Sequence, residues 1–255
     1  MMLKGKTAII TGSASGIGKS IAREFAKQGA EVVINYVRTP DAANSIADEI
    51  NRDGHRAIAI KADVSKQSEV NRMVEQTVER FGKIDLLVNN AGIEKRSAFL
   101  EMSLEEWNRV IEVNLTGPFI CTQAVAREMV RKTIKGVIVN ISSVHEDIAF
   151  PGYASYCAAK GGLRMLCRNL ALELAPFGIR LVNVGPGAIA TPINEEILRD
   201  SDKKRALEKE IPMQRIGQPE EVAKLVSYLA SDHAAYITGT TVFIDGGLMR
   251  RTGAL

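Results

Sequence analysis

The sequence predicts an α/β protein, a single doubly wound parallel sheet with helices on both faces. Two observations predict it. Short apolar runs alternate with longer amphipathic segments along nearly the whole chain. The first run leads into a glycine-rich turn, Thr11-Gly12-Ser13-Ala14-Ser15-Gly16-Ile17-Gly18, which opens a helical pattern.

Thr7–Ile10 reads as the first strand, and 16–29 as a helix with Ile21, Ala22, Phe25 and Ala26 on one face. Glu31–Tyr36 is the second strand. The helix 41–52 follows, with Asp41 as its cap after Pro40. Ala57–Lys61 is a strand, 66–81 a helix and 85–89 a strand. A long helical stretch covers 103–132, which Gly117-Pro118 kinks or divides. The strand 136–141, the helix 154–175 and the strand 179–184 come next, then the helix 220–230 and a last strand at Thr241–Ile244. The least regular stretch is 185–218, which carries Pro186, Pro192 and Pro212. It follows a strand at the edge where such sheets bind ligands, so a substrate lid is expected around 188–216. No linker or repeat divides the chain, so 1–255 is read as one domain.

Composition excludes several functions. Of 255 residues, 45% are hydrophobic and 25% charged, a balance that fills a core in water. The net charge of +3 comes without a Lys/Arg run, so no nucleic-acid partner is expected. No apolar run is long enough for a membrane span, and the first ten residues lack a signal peptide's apolar region. Cys121, Cys157 and Cys167 form no Cys-x-x-Cys pair, which suits reduced thiols in the cytoplasm. No His/Cys/Asp cluster has metal-ligand spacing, so no metal is expected.

The chemistry is carried by Tyr156 and Lys160, four residues apart and so on one helix face. Free tyrosine titrates near ~10 and is a poor base at neutral pH. An ammonium beside it favours phenolate and makes it a usable proton acceptor. In the glycine loop, Gly12, Ser15, Gly16, Ile17 and Gly18 sit where backbone approaches a pyrophosphate, with the N–H groups of the helix start behind them. The second strand ends Asn35-Tyr36-Val37-Arg38, without the acid that bonds the ribose hydroxyls of NAD. Arg38 leans the choice towards NADP, with NAD kept open. Asp63, at the end of the third strand, either accepts from an adenine amino group or caps the next helix.

Thr11-Gly12 to Gly18, Asp63-Val64, Asn89-Asn90-Ala91-Gly92, Asn114, Ser143, Tyr156 with Lys160, and Asn183-Val184-Gly185-Pro186-Gly187 together resemble the short-chain dehydrogenase/reductase family. The resemblance runs from residue 6 to 247. It implies a Rossmann-like domain, a homotetramer, a small-molecule substrate, and Asn114, Ser143, Tyr156 and Lys160 as the catalytic set. Ser143 is preferred over Ser142 because its distance to Tyr156 matches the family pattern. By the same resemblance Lys160 also reaches the nicotinamide ribose, and Asn114 links Lys160 to a water chain. Val64, Asn90, Ala91, Gly92, Pro186, Gly187, Ile189 and Thr191 join the cofactor contacts, the last two at the carboxamide.

Within the family, Ser142-Ser143-Val144-His145-Glu146, the segment 185–194 and Glu94 are similar to glucose 1-dehydrogenases. That likeness implies that Glu94 and His145 contact sugar hydroxyls, beside Ser143 and Tyr156, and that a secondary alcohol such as glucose C1-OH is oxidised. Residues 150–155 and the basic tail 248–255, with Arg250 and Arg251, depart from those enzymes. The alternative is a 3-oxoacyl-acyl-carrier-protein reductase-like or other carbonyl reductase. A non-catalytic nucleotide-binding protein is a remote alternative, opposed by the presence of Ser143, Tyr156 and Lys160.

Overall fold

The structure, a computed structural model, describes residues 1–250. Its strands are β1 (Thr7–Ile10), β2 (Glu31–Tyr36), β3 (Ala57–Lys61), β4 (Leu86–Asn89), β5 (Val137–Ile141), β6 (Arg180–Pro186) and β7 (Thr241–Ile244). They form one sheet in the order β3-β2-β1-β4-β5-β6-β7, with every pairing parallel. Successive side chains of a strand point to opposite faces. Ile10 therefore joins Ile34 and Val88 in one core, while Ile9 joins Val33 and Leu87 in the other. On the first face pack α1 (Gly16–Lys27), α2 (Pro40–Arg52) and α9 (Pro219–Ala230), through Phe25, Ile46 and Val226. On the second face pack α3 (Gln67–Phe81), α5 (Gly117–Arg131) and α6 (Ala154–Leu174), through Met73, Val125 and Cys167. Both faces of a parallel sheet must be covered, and this Rossmann-like arrangement covers them.

Strand order reverses between β1 and β4. The loops after these two strands diverge to opposite faces and leave a crevice. The glycine loop leaves β1 there, and Asn90-Ala91-Gly92 leaves β4. The site is thus placed by topology before any side chain is considered.

Three expectations are corrected. Asp41 is not a cap: Pro40 is the first helical residue of α2, and Thr39 occupies the cap without a side-chain bond. Proline suits that position because its φ is preset and its missing N–H has no intrahelical use there. The stretch 103–132 is neither simply kinked nor split at Gly117-Pro118. α4 (Leu104–Ile111) runs through a π-helical turn, Glu112–Thr116, into α5. Pro118 has no N–H for the carbonyl of Asn114, so the α-ladder breaks one turn upstream of the proline. The stretch 185–218 is more regular than its composition suggests. It holds the short helices α7 (Glu195–Arg199) and α8 (Ser201–Glu210), the latter capped by Asp200, whose carboxylate accepts from Asp202 N and Lys203 N. The ends of this stretch meet at a bridge between Ile189 and Gly217, with Ala190 N donating to Gly217 O at 2.9 Å. Of the tail, Arg251 and the residues after it lie outside the described residues.

Candidate active site

The glycine loop is held by Asn35 of β2 and by Asn90, which follows β4. Gly12 and Gly16 have φ of +62° and +54°, which only glycine adopts at little cost. Asn90 donates from Nδ2 to Thr11 O (2.8 Å) and Gly12 O (3.0 Å), while Thr11 Oγ1 accepts from the backbone N–H groups of Asn90 and Ala91. A Cβ on Gly18 would stand 2.4 Å from Asn90 Nδ2 and 2.8 Å from Gly12 O, so Gly18 exists to admit Asn90. Asn35, fully buried, accepts from Gly12 N at 3.0 Å and donates to Ala62 O at 2.9 Å. It clamps β2, β3 and the loop together.

α1 begins without a side-chain cap, so its first N–H groups stay free for an anion. Across the crevice from the loop stands the segment after β6: a Cβ on Gly16 would lie 3.6 Å from Thr191. Pro186 and Ile189 are buried beneath it, and Gly187 packs against Asp245. Ser15 is exposed at the rim and Ile17 half-buried. The loop, the free helix start and the narrow facing segment fit a dinucleotide.

Of the residues expected at the adenosine, Asp63 and Val64 have partners within the protein. Arg38 is exposed just past β2. Asp63 Oδ1 accepts from Ser65 N and Oγ, and Oδ2 faces Arg109 Nη2 at 3.4 Å. Burial acts to raise its carboxyl, but the Ser65 bonds and the Arg109 charge outweigh it and hold Asp63 below the ordinary value. Val64 packs where Gly117 lacks a side chain, which ties β3's exit to the π-turn.

Asn114 sits in that π-turn, buried. Its Nδ2 donates to Ile93 O (2.7 Å) and Val110 O (3.0 Å), and its Oδ1 accepts from Ile93 N (3.2 Å). It thereby fixes the strand exit that carries Gly92 and Glu94. Ser143 lies just past β5, where its Oγ accepts from His145 N at 3.1 Å, and it is near enough to the Tyr156 phenol to favour the phenolate. Tyr156 and Lys160 lie one turn apart on α6, with Nζ 5.5 Å from the Tyr156 ring centre.

Among the described residues Lys160 is bonded to the backbone and not to the phenol. Its Nζ donates to Ile141 O at 2.8 Å. Burial holds Tyr156 well above the ordinary tyrosine range; the Ser143 hydroxyl lowers it in part, and the Glu94 charge raises it further. Burial also pushes Lys160 down to about 8, against the opposing pull of Glu146 and Glu94.

An open cavity of about 310 Å³ adjoins this set, lined by Gly92, Ile93, Glu94, Arg96 and Tyr153. Glu94 is half-buried, and burial raises its carboxyl despite the Lys160 charge. His145 faces Tyr156 edge-on at 6.3 Å and stacks on Phe150 at 4.2 Å; Phe150 stacks on Tyr153 at 4.0 Å. The segment 150–155 thus forms an aromatic wall beside the phenol.

Sequence reasoning missed three contributors. Asn35 as a clamp had no local signal, since its partners lie on other strands. Asn140 donates to Asn183 Oδ1 (2.9 Å) and accepts from Asn89 Nδ2 (2.8 Å), a ladder in register across β4, β5 and β6. It was readable only as three asparagines near three strand ends. Glu146 is buried, with Ser142 Oγ at 2.5 Å and Thr241 Oγ1 at 2.6 Å. An acid so close to the serine pair was its signal.

Comparison with known proteins agrees with this fold. The family model described as enoyl-(acyl carrier protein) reductase matches residues 12–249. A 3beta-hydroxysteroid dehydrogenase of Eggerthella lenta is 47% identical, over 96% of this chain and 94% of its own length. Glucose 1-dehydrogenase 2 of Bacillus subtilis is 43% identical, over 96% and 95%. A solved gluconate 5-dehydrogenase of Burkholderia cenocepacia, in complex with NADP and tartrate, superposes with a TM-score of 0.93 at 36% identity, covering 98% of this chain and 97% of that one. Seven parallel strands, a glycine loop at the reversal of strand order and relatives named as dehydrogenases and reductases lead to one assignment: the chain belongs to the short-chain dehydrogenase/reductase family of NAD(P)-dependent oxidoreductases.

Proposed function

We propose that the enzyme interconverts a secondary alcohol and a ketone or lactone, using Ser143, Tyr156, Lys160 and Asn114. The observation that carries this is the placement of Tyr156 and Lys160 one turn apart on α6, Nζ 5.5 Å from the Tyr156 ring centre, facing the segment after β5 that bears Ser143 and His145, beside the glycine crevice. The nicotinamide, when bound, supplies the hydride acceptor or donor. Gly12, Ser15, Gly16, Ile17 and Gly18 would hold its pyrophosphate. Arg38, Asp63 and Val64 would border the adenosine, and Asn90, Ala91, Gly92, Pro186, Gly187, Ile189 and Thr191 the remainder. Arg38 without a carboxylate at the end of β2 favours NADP over NAD.

Ser143 holds the substrate oxygen, and Tyr156 moves its proton. Lys160 makes that transfer possible by turning its charge from Ile141 O towards the phenol and the nicotinamide ribose, since burial alone keeps the phenol protonated. Asn114 holds the chain entering the site and leads Lys160 to water. The helices between Ile189 and Gly217 form a lid over the substrate.

The substrate carries several hydroxyls, with glucose at C1 the leading candidate. Glu94 supports this: it lines the cavity, half-buried, and forms no hydrogen bond or ion pair among the described residues. Such a carboxylate is a ready acceptor for substrate hydroxyls, and His145 stands nearby. The aromatic wall of Phe150 and Tyr153 favours a second class, a carbonyl reductase for larger apolar ketones or acyl thioesters. Assay at the reduced-nicotinamide band separates them. D-glucose oxidation with NADP or NAD is expected. Reduction of an acetoacetyl thioester or a ketosteroid without glucose activity would move the enzyme to the second class and Glu94 to the rim. Three free cysteines suit a cytoplasmic address.

A further inference from the structure

We infer that Glu146 is a positioning residue for catalysis, a buried carboxylate that fixes the strand end bearing Ser143 and serves as counter-charge to Lys160. This rests on the proposed roles of Ser143, Tyr156 and Lys160.

Glu146 is 6% exposed, and Lys160 is 5% exposed. An acid is almost never so buried without a partner of opposite charge or a full set of hydrogen bonds. Glu146 has two hydroxyl donors, Ser142 Oγ from β5 and Thr241 Oγ1 from β7. Ser142 is also held by its N–H, which donates to Val184 O of β6 at 2.7 Å. One carboxylate therefore links the exit of β5 to the first residue of β7, and the residue so fixed adjoins Ser143. Lys160 grips the neighbouring residue on the same strand end, through Ile141 O. Acid and ammonium thus seat consecutive residues, 141 and 142, at one buried strand end. The segment bearing Glu146 is itself pinned to α6, because Asp147 pairs with Arg164.

The charges around this pocket come from few elements. Glu146 and Lys160 are both buried and bond consecutive residues of one strand end, 142 and 141, which places the acid near enough for its charge to favour the ammonium. Glu94, from the exit of β4, is the second acid acting on Lys160, and Tyr156 lies one turn away on α6. Glu94 is half-buried and lines the open cavity, whereas Glu146 is buried. Without Glu146, the half-buried Glu94 is the one remaining acid among the described residues that favours the Lys160 ammonium. Tyr156 would then lack its cationic neighbour at mildly alkaline pH.

The test combines Glu146→Gln, Thr241→Val and Lys160→Met. Glu146→Gln keeps the volume and removes the charge; Thr241→Val removes one hydrogen bond and keeps the charge. Thermal denaturation of the Glu146→Gln/Lys160→Met cycle reads the pair without substrate. At pH 6.5, Glu146→Gln is expected to lower Tm in the parent and to lower it less in Lys160→Met. At pH 10, where Lys160 is neutral, that difference should vanish. In turnover, the alkaline limb of the kcat–pH profile of Glu146→Gln should move about one unit towards acid, which is roughly tenfold lower kcat on that limb. Thr241→Val should leave the limb in place. Additive Tm losses at both pH values, or a Glu146→Gln profile that superposes on the parent's, overturns the proposal. A parent without any turnover contradicts the proposed function instead, and leaves the thermal cycle to decide this one.

Discussion

Gly18 shows how much of the site is decided by the absence of an atom. Its missing Cβ is the space that Asn90 Nδ2 fills, and two backbone groups crowd the same place at 2.8 Å. Gly18→Ala therefore forces a backbone shift that no rotamer change relieves. It is expected to cost about 1–3 kcal/mol of stability and to weaken cofactor binding, measured by denaturant unfolding and by fluorescence titration with NADP. Lys160 makes a second residue-scale prediction. Burial holds its folded value at about 8, below the ordinary 10.5. Between those two pH values the unfolded chain binds the proton that the folded chain has released, so stability from this group rises with pH across the window. Lys160→Met should flatten that rise, as read by Tm between pH 7 and 11. The glycine loop and the Tyr156–Lys160 spacing were legible in the sequence, because each depends on neighbours close along the chain. Asn35 and Glu146 were not, since their partners are brought by other strands.

The π-turn Glu112–Thr116 is the element where local sequence and function meet. Pro118 withholds the N–H that would continue an α-ladder, and the turn that results presents Asn114 to Ile93. Restoring that N–H with Pro118→Ala should return the segment towards α-helix and swing Asn114 out of register. The fold should survive, because alanine is the better helix former. Activity should fall by about 10²-fold, as for other misplacements near 1 Å. An unchanged kcat with a regular helix in a crystal structure would remove Asn114 from the account. A break near Gly117-Pro118 was readable from composition. Its position one turn earlier was not, because a proline acts on the carbonyl four residues before it.

At the scale of the molecule, alternation of strands and helices was sufficient to predict the fold, since parallel strands demand crossovers and covered faces. The region 185–218 resisted, because α7 and α8 are short and α8 buries no residue. Apolar surface remains uncovered on one side of the monomer. Phe99, Leu100 and Leu104 before and on α4, Phe119 on α5, and Met165 and Leu172 on α6 are all exposed. Exposed apolar side chains on α4, α5 and α6 suit burial between chains, and we propose a homotetramer. Light scattering at micromolar concentration should give about four chain masses. Leu172→Glu with Met165→Glu should lower that mass while the far-ultraviolet spectrum is retained; a parent that runs as a monomer would contradict the assembly.

The central claim is that the phenol of Tyr156 moves the substrate proton. Steady-state turnover of Tyr156→Phe beside the parent tests it, with NADP binding followed by fluorescence in both. The account predicts a loss of kcat of about 10²–10⁴-fold, with cofactor affinity kept within a few-fold. Turnover of Tyr156→Phe at the parent's rate would contradict it.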